Sequence, residues 1–269
     1  MRMGTNGPVM ITDGAASRLL ERLAADHAAV LGAQVIGFYV FGSLVSGGFD
    51  SSTSDVDTVV VLRQDLTSTQ LEGLSALHAN LVRDDPTWAD RVEVVYLSVD
   101  ALANFRIGVH PAARISPGEL FHAIDVDDRW LIDWYQLREG SVTLSGPPPT
   151  TIVPPILKSE WIDAVKHHML EWPAPSADLG HGSLAYAVLS ACRALRTCET
   201  GDHVSKPEAA RWAAERMPEH GDLIRKTLAW RTQTNGGRDP FALHETKRFL
   251  ADVQEALQPG ATRSGDEVA

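Results

Sequence analysis

The sequence is poor in cysteine and has no long apolar run. Its 269 residues include two cysteines, Cys192 and Cys198. Because these stand six positions apart on a predicted helix, they would lie on different faces and form a poorly aligned disulfide, so we expect a reduced, cytoplasmic protein. We also expect no secretion and no membrane contact. The first residues lack the apolar core of a signal peptide, and no apolar run is long enough to span a bilayer.

Basic residues are also scarce relative to acidic ones. The chain has 24 Lys and Arg against 35 Asp and Glu, a formal net charge of −11. A surface of that sign repels a phosphate backbone and attracts small cations, so we expect a small cationic substrate and no nucleic acid partner. With 44% hydrophobic and 22% charged residues, the composition is that of an ordinary globular protein, long enough for two modest domains.

The most informative pattern combines a Gly-Ser pair with two nearby acids. Gly42 and Ser43 follow the apolar segment Val35–Phe41, which predicts a strand, and Asp55 and Asp57 then stand two positions apart before a second apolar segment. Side chains two apart on a strand point to the same face, so the two carboxylates would converge. Such a pair suits Mg²⁺, whose coordination is completed by phosphates. A Gly-Ser turn lets the backbone and a hydroxyl approach those phosphates.

A lone Asp-x-Asp is common in ordinary turns. A site is indicated here by the order of apolar segment, Gly-Ser pair, Asp-x-Asp and second apolar segment, and by a third acid. Glu93 lies within the apolar segment Arg91–Leu97, which predicts a strand. By itself Glu93 could occupy a solvent-facing position of that strand. Beside Asp55 and Asp57, however, it favours a three-acid site for transfer from a nucleoside triphosphate. Repulsion among three converging carboxylates should raise at least one pKa until a metal binds.

These residues resemble the polymerase-β-like nucleotidyltransferases and, more closely, the streptomycin/spectinomycin adenylyltransferases. The likeness is carried by the loop 41–48 and by the segments 138–147 and 206–218, and it runs over nearly the whole chain. The resemblance implies an O-adenylyltransferase that uses ATP and two Mg²⁺ ions. Its acceptor would be a hydroxyl of an aminoglycoside or aminocyclitol of the streptomycin/spectinomycin type, and the modification would confer resistance.

The resemblance also implies roles for single residues of the first domain. Gly42 and Ser43 correspond to the residues that bind the outer phosphates, and Asp55 and Asp57 to those that hold the metal. Glu93 corresponds to the base that takes a proton from the acceptor hydroxyl. Its alternative role is that of a third metal ligand, and the residues leave the two open.

In the second domain, Lys206 matches a lysine on the nucleotide phosphates and Trp230 an aromatic residue facing the nucleotide. The alternatives are a solvated lysine and a tryptophan of the helix packing. Trp172 matches a substrate-binding aromatic residue, with Asp178 as an acid nearby, but the loop 173–183 is rearranged and less acidic than in the family. Because a desolvated cation needs an anionic partner, streptomycin is the less expected substrate. The segment 114–120 also departs from the family pattern.

The predicted architecture is an α/β N-terminal nucleotidyltransferase domain, with a small mixed sheet and helices, followed by an all-α C-terminal helical bundle. The first domain should cover residues 1–146, a proline-rich linker 147–155, the bundle 156–258 and a disordered tail 259–269. The prolines indicate the linker because they continue neither a helix nor a central strand. We expect a monomer whose site lies in the cleft between the domains.

Two other functions fit parts of the pattern. A nucleotidyltransferase of this kind could act on a protein hydroxyl or on an unrelated metabolite, which nothing in the sequence excludes. It could also serve as an antitoxin-like regulator. The presence of all three acids argues against an inactive enzyme, and the length of the helical domain argues against a minimal antitoxin.

Overall fold

The computed structural model describes residues 11–176, 180–231 and 243–258. The chain divides into two compact units, Met1–Ile156 and Leu157–Ala269. The predicted disordered tail, 259–269, lies outside the described residues. In the described part, no helix has both the length and the apolar character needed to cross a bilayer.

The first unit is built on one six-stranded mixed sheet of order β5-β4-β3-β2-β1-β6. Its strands are β1 Val35–Phe41, β2 Val56–Leu62, β3 Val92–Ser98, β4 His110–Ile115, β5 His122–Val126 and β6 Val142–Ser145. Strands β2 and β3 are parallel, and every other neighbouring pair is antiparallel. This architecture confirms the predicted α/β fold class, and it adds strands β4, β5 and β6, which the sequence analysis did not predict.

Helices cover both faces of this sheet. They are α1 Gly14–Leu31, α2 Ser43–Ser46, α3 Ser68–Asp84, α4 Val99–Ala103 and α5 Leu131–Gly140. Phe38 and Val60 pack in one apolar core with residues of α1 and α3, whereas Tyr39 and Val59 pack in another with residues of α4 and α5. The central strands are therefore apolar on both faces, which explains why they read as continuous apolar runs.

The proline-rich segment packs against the first unit. Pro149–Thr151 forms a single 3₁₀ turn, and Val153 and Ile156 are buried in the core beside α5. The Arg138 guanidinium donates hydrogen bonds to the carbonyl oxygens of Thr150 and Val153. The first compact unit thus includes the residues predicted to form a linker.

The second unit is helical. Its described elements are α6 Lys158–Leu170, α7 His181–Thr200, α8 Lys206–Arg216, α9 Gly221–Arg231 and α10 Leu243–Leu257, with one 3₁₀ turn at Pro218–His220. The long helix α7 is central because it contacts each of the other four. Its residues Val188, Cys192 and Leu195 are fully buried in the core of this unit. Cys192 and Cys198 are both free thiols.

Candidate active site

The structure brings together the three acids that the sequence singled out. Asp55 immediately precedes β2, Asp57 is the second residue of β2 and Glu93 is the second residue of β3. The parallel register places Asp57 directly beside Glu93. One carboxylate oxygen from each of the three residues lies within 4.8 Å of the others. In the part of the chain that the structure describes, no other group of three or more His, Cys, Asp or Glu side chains is so placed.

Gly42 packs directly against one of these acids. Phe41, the last residue of β1, pairs with Asp57 across the antiparallel ladder, and Gly42 follows with a φ of 69°. A Cβ atom at Gly42 would lie 1.9 Å from Asp57 Oδ2. Both the left-handed backbone and the lack of space therefore require glycine here. The close approach brings the main chain of the turn against the acid cluster.

Ser43 presents a buried hydroxyl next to this turn. It is the first residue of α2, and its Oγ is buried without a hydrogen-bond partner among the described residues. A buried hydroxyl without a partner is energetically unfavourable, so such groups in folded proteins usually meet another polar atom. A phosphate oxygen bound at the turn would supply an acceptor for Ser43.

The surroundings of Glu93 shift its pKa upward. Burial is the largest cause that raises its pKa, to about 7, and the negative charge of Asp133 is the next. A hydrogen bond from Ser116 Oγ to Glu93 Oε2, 3.0 Å long, acts in the opposite direction. Asp55 adds a smaller rise. The predicted cause of such a rise was repulsion within the acid cluster, whereas desolvation is the main cause.

The donor set of the cluster fits Mg²⁺. This ion prefers oxygen ligands and is held in proteins by one or two carboxylates, with phosphates and waters completing the octahedron. Asp55 and Asp57 supply carboxylate oxygens, and Glu93 is close enough to supply another. All three residues are partly exposed, so the cluster is accessible from solvent.

In the second unit, Lys206 and Trp172 share a neighbour. Lys206 is the first residue of α8, whose N-cap, Ser205, accepts a hydrogen bond from the Glu208 amide. Lys206 Nζ lies 3.9 Å from the centroid of the Tyr186 ring. The Trp172 ring centroid is 6.0 Å from that of Tyr186. Tyr186, which is 53% exposed, therefore joins two predicted site residues in one aromatic and cationic surface.

The remaining predicted residues of the second unit are placed differently. Trp230, on α9, is half-buried and packs against the core of this unit. Its contact with a nucleotide stays a prediction beside that packing role. Asp178 lies outside the described residues.

Two neighbours of Glu93 were not predicted. Ser116 follows β4, and Asp133 belongs to α5. The sequence analysis did not predict β4, and without its pairing to β3 nothing placed Ser116 near Glu93. A local signal was nevertheless present, since Pro117-Gly118 is typical of a tight turn. The turn alone would not have identified Glu93 as the contact.

Two family models match this chain. The model described as nucleotidyltransferase domain matches residues 17–97, which contain the Gly-Ser turn and the three acids. The model described as aminoglycoside adenylyltransferase, C-terminal domain, matches residues 151–254. The two matches follow one another along the chain in the order that the sequence analysis predicted.

Curated relatives cover most of the chain. A spectinomycin 9-adenylyltransferase of Staphylococcus aureus is 28% identical over 207 residues, covering 72% of this chain and 77% of its own. An aminoglycoside (3'') (9) adenylyltransferase of Klebsiella pneumoniae is 26% identical over 196 residues, covering 68% of this chain and 72% of its own.

A solved structure shares the fold. It is the crystal structure of spectinomycin adenyltransferase AAD(9) from Enterococcus faecialis with ATP and spectinomycin, and it matches with a TM-score of 0.74. The match covers 90% of this chain and 98% of that one, at 18% sequence identity. The solved structure shows the fold, and the two family models, together with the curated relatives, show that the chain belongs to the aminoglycoside adenylyltransferase family of nucleotidyltransferases.

Proposed function

We propose that the protein transfers the adenylyl group of ATP to a hydroxyl of an aminocyclitol or aminoglycoside antibiotic in a Mg²⁺-dependent reaction. Spectinomycin is the preferred acceptor, and the modification confers resistance. The observation that carries the proposal is the cluster of Asp55, Asp57 and Glu93 beside the Gly42-Ser43 turn. The names of the relatives, which include spectinomycin 9-adenylyltransferase, support the acceptor class.

In the proposed reaction, the acceptor hydroxyl oxygen forms a bond to the α-phosphorus of ATP. The bond from that phosphorus to the bridging oxygen of the leaving group breaks, and pyrophosphate departs. Glu93 accepts the proton that the hydroxyl loses. Ser43 and the main chain at Gly42 bind the outer phosphates, which orients the triphosphate for in-line displacement.

Asp55 and Asp57 hold Mg²⁺ in this proposal, and two ions fit the number of acids. When bound, the ions neutralise charge on the triphosphate and on the leaving pyrophosphate. Without them, three acidic residues, each with a carboxylate oxygen within 4.8 Å of the others, would repel the nucleotide phosphates. The same acids therefore make nucleotide binding depend on the metal.

Lys206 supplies a cation to the nucleotide phosphates in the proposed complex, and Trp230 contacts the nucleotide. Trp172 and Asp178 bind the acceptor. Lys206 lies at the first turn of α8, where the helix dipole disfavours a cation. A negatively charged ligand beside Lys206 would offset this cost.

The loop 173–183 bears on the choice of acceptor. It contains a single carboxylate, Asp178. Streptomycin carries two guanidinium groups, each of which needs an anionic partner when it is desolvated. A loop with one acid therefore suits spectinomycin, which lacks guanidinium groups, better than streptomycin.

The test is a direct assay of the purified protein with ATP, Mg²⁺ and single acceptors. Mass spectrometry should detect the addition of one adenylyl group to spectinomycin, with release of pyrophosphate. The matched control is Glu93→Gln, which removes a charge while preserving shape. Absence of adenylylated spectinomycin and streptomycin, with wild-type protein that binds ATP, would refute the proposed acceptor class.

A further inference from the structure

A tight turn ends β4 close to the acid cluster. The four residues are Ser116, Pro117, Gly118 and Glu119, and the Glu119 amide donates a hydrogen bond to the Ser116 carbonyl oxygen at 2.9 Å. Gly118 has a φ of 80°. Proline at the second position and a glycine of positive φ at the third are the features of a type II turn. The sequence of this segment thus determines where β4 stops.

The turn is held by contacts on both sides. The Gly118 amide donates to Asp90 Oδ1 at 3.3 Å, which ties the turn to the loop before β3. Arg114 Nη2 lies 2.6 Å from Glu119 Oε2. Asp90 precedes Glu93 by three positions, so these contacts hold the turn next to the start of β3.

This register brings Ser116 to Glu93. The antiparallel pairing of β3 and β4 sets Val94 opposite Ile115, so that the next pair along the ladder is Glu93 and Ser116. The Ser116 hydroxyl donates to Glu93 Oε2 at 3.0 Å. A glutamate has several side-chain torsions, and its terminal torsion is broad. A hydrogen bond from a hydroxyl on a fixed turn therefore restricts the orientation of the carboxylate.

We propose that Ser116 is a positioning residue, which holds the Glu93 carboxylate in the orientation that accepts the proton of the acceptor hydroxyl. The inference rests on the proposed function, because it assigns Ser116 a role through Glu93. Ser116 itself touches neither the nucleotide nor the acceptor in this scheme. Loss of the Ser116 hydroxyl should therefore lower kcat and leave nucleotide binding unchanged.

The test combines steady-state kinetics with a double-variant cycle. Ser116→Ala should lower kcat about tenfold, the scale of one hydrogen bond to a charged group, with KM for ATP within about twofold of wild type. Ser116→Thr, which keeps a hydroxyl, should restore most of that loss. In a Glu93→Gln background, Ser116→Ala should change kcat by less than about twofold, because the two residues act as one unit. The matched control is Ser17→Ala, which removes a hydroxyl that donates to main-chain oxygens of the segment just before α1.

Several outcomes would overturn the inference. They are an unchanged kcat in Ser116→Ala, an equal loss in the wild-type and Glu93→Gln backgrounds, and a rise in KM with kcat preserved. If Ser116→Ala does not fold, Ser116→Cys replaces it, since a thiol is a poor substitute for the hydroxyl donor.

A crystal structure of Ser116→Ala tests the positioning role without relying on the proposed activity. Reorientation of the Glu93 carboxylate relative to wild type supports the positioning role, and an unmoved carboxylate contradicts it. Neither result depends on which acceptor the enzyme uses. Failure of wild-type protein to modify any acceptor would refute the proposed function alone.

Discussion

Asp57 and Glu93 are register partners on the parallel strands β2 and β3. Partners in a parallel ladder place their side chains on the same face, so both carboxylates are directed to one side of the sheet. A slip of one residue would move Glu93 to the other face and separate it from Asp57. The acid cluster therefore depends on how β2 and β3 pair, although most residues of these two strands are apolar and take no part in the site.

Replacement of Gly42 should abolish most activity. In Gly42→Ala the new Cβ would lie 1.9 Å from Asp57 Oδ2, on a backbone of positive φ. Gly47→Ala is the matched control, because Gly47 also has a positive φ, of 76°, but a Cβ there would meet no atom within 4 Å. Gly47→Ala should lose about 1 kcal/mol of stability, and Gly42→Ala should lose more, because its Cβ also meets Asp57. Only Gly42→Ala should lose more than about tenfold in kcat/KM. Steady-state kinetics and thermal unfolding of both variants measure the two effects. Equal losses of kcat/KM in the two variants would contradict a close fit of Gly42 against Asp57.

Glu93→Gln separates the two possible roles of this acid. If Glu93 is the base, turnover should fall about 10²- to 10⁴-fold while Mg-ATP affinity stays near that of wild type. If Glu93 is a third metal ligand, affinity should fall together with turnover, as it should in Asp57→Asn. Isothermal titration calorimetry with and without Mg²⁺ supplies the affinities. Near-wild-type turnover in Glu93→Gln would remove Glu93 from the mechanism.

Lys206→Met should weaken Mg-ATP binding about tenfold, because one charge-assisted contact to a phosphate is lost. Methionine retains the apolar length that packs near the Tyr186 ring, so the fold should be preserved. Lys247→Met, at an exposed position of α10, is the matched control and should bind Mg-ATP as wild type does. Titration calorimetry measures both. Equal affinity in the two variants would show that Lys206 does not contribute to Mg-ATP binding.

Two buried histidines should make the protein sensitive to acid. Nε2 of His27 and Nε2 of His78 each lie 2.8 Å from the Tyr96 hydroxyl in the core of the first unit. Burial lowers the pKa of His27 to about 3 and that of His78 to about 4, from an ordinary 6.5. As the pH falls below 6.5, both histidines therefore bind a proton in the unfolded chain before they do so in the folded protein. Each histidine should therefore lower the stability by about 2 kcal/mol at pH 5, relative to a pH well above 6.5, where its contribution is fully present.

Urea unfolding between pH 7.5 and pH 5 measures this loss. His78→Gln should lower the free energy of unfolding at pH 7.5 but should lose about 2 kcal/mol less than wild type on acidification. The comparison uses the change in the free energy of unfolding between the two pH values, so the destabilisation caused by the substitution itself cancels. The same pH dependence in both proteins would show that His78 is not kept neutral by the core.

The strands at the centre of the sheet could be predicted from the sequence, and those toward its edges could not. The predicted strand Val35–Phe41 has the observed bounds, because β1 is covered on both faces and its residues are apolar throughout. Strand β4, in contrast, contains Pro111 and the charged Arg114, and β6 has four residues of mixed exposure. Such short, half-exposed segments become strands through the partners that they pair with.

The sequence by itself indicated the chemistry that is proposed for the site. The order of an apolar strand, Gly42-Ser43, Asp55-x-Asp57 and a further acid at Glu93 already indicated a metal-dependent nucleotidyl transfer, because the spacing of residues along strands is a local property. Tertiary structure alone decided what surrounds these residues. The hydrogen bond from Ser116 to Glu93 and the contact between Lys206 and Tyr186 join residues 23 and 20 positions apart. Contacts of this kind arise from strand pairing and helix packing, which depend on the burial of apolar surface over a whole unit and leave no periodic trace in the sequence around either residue.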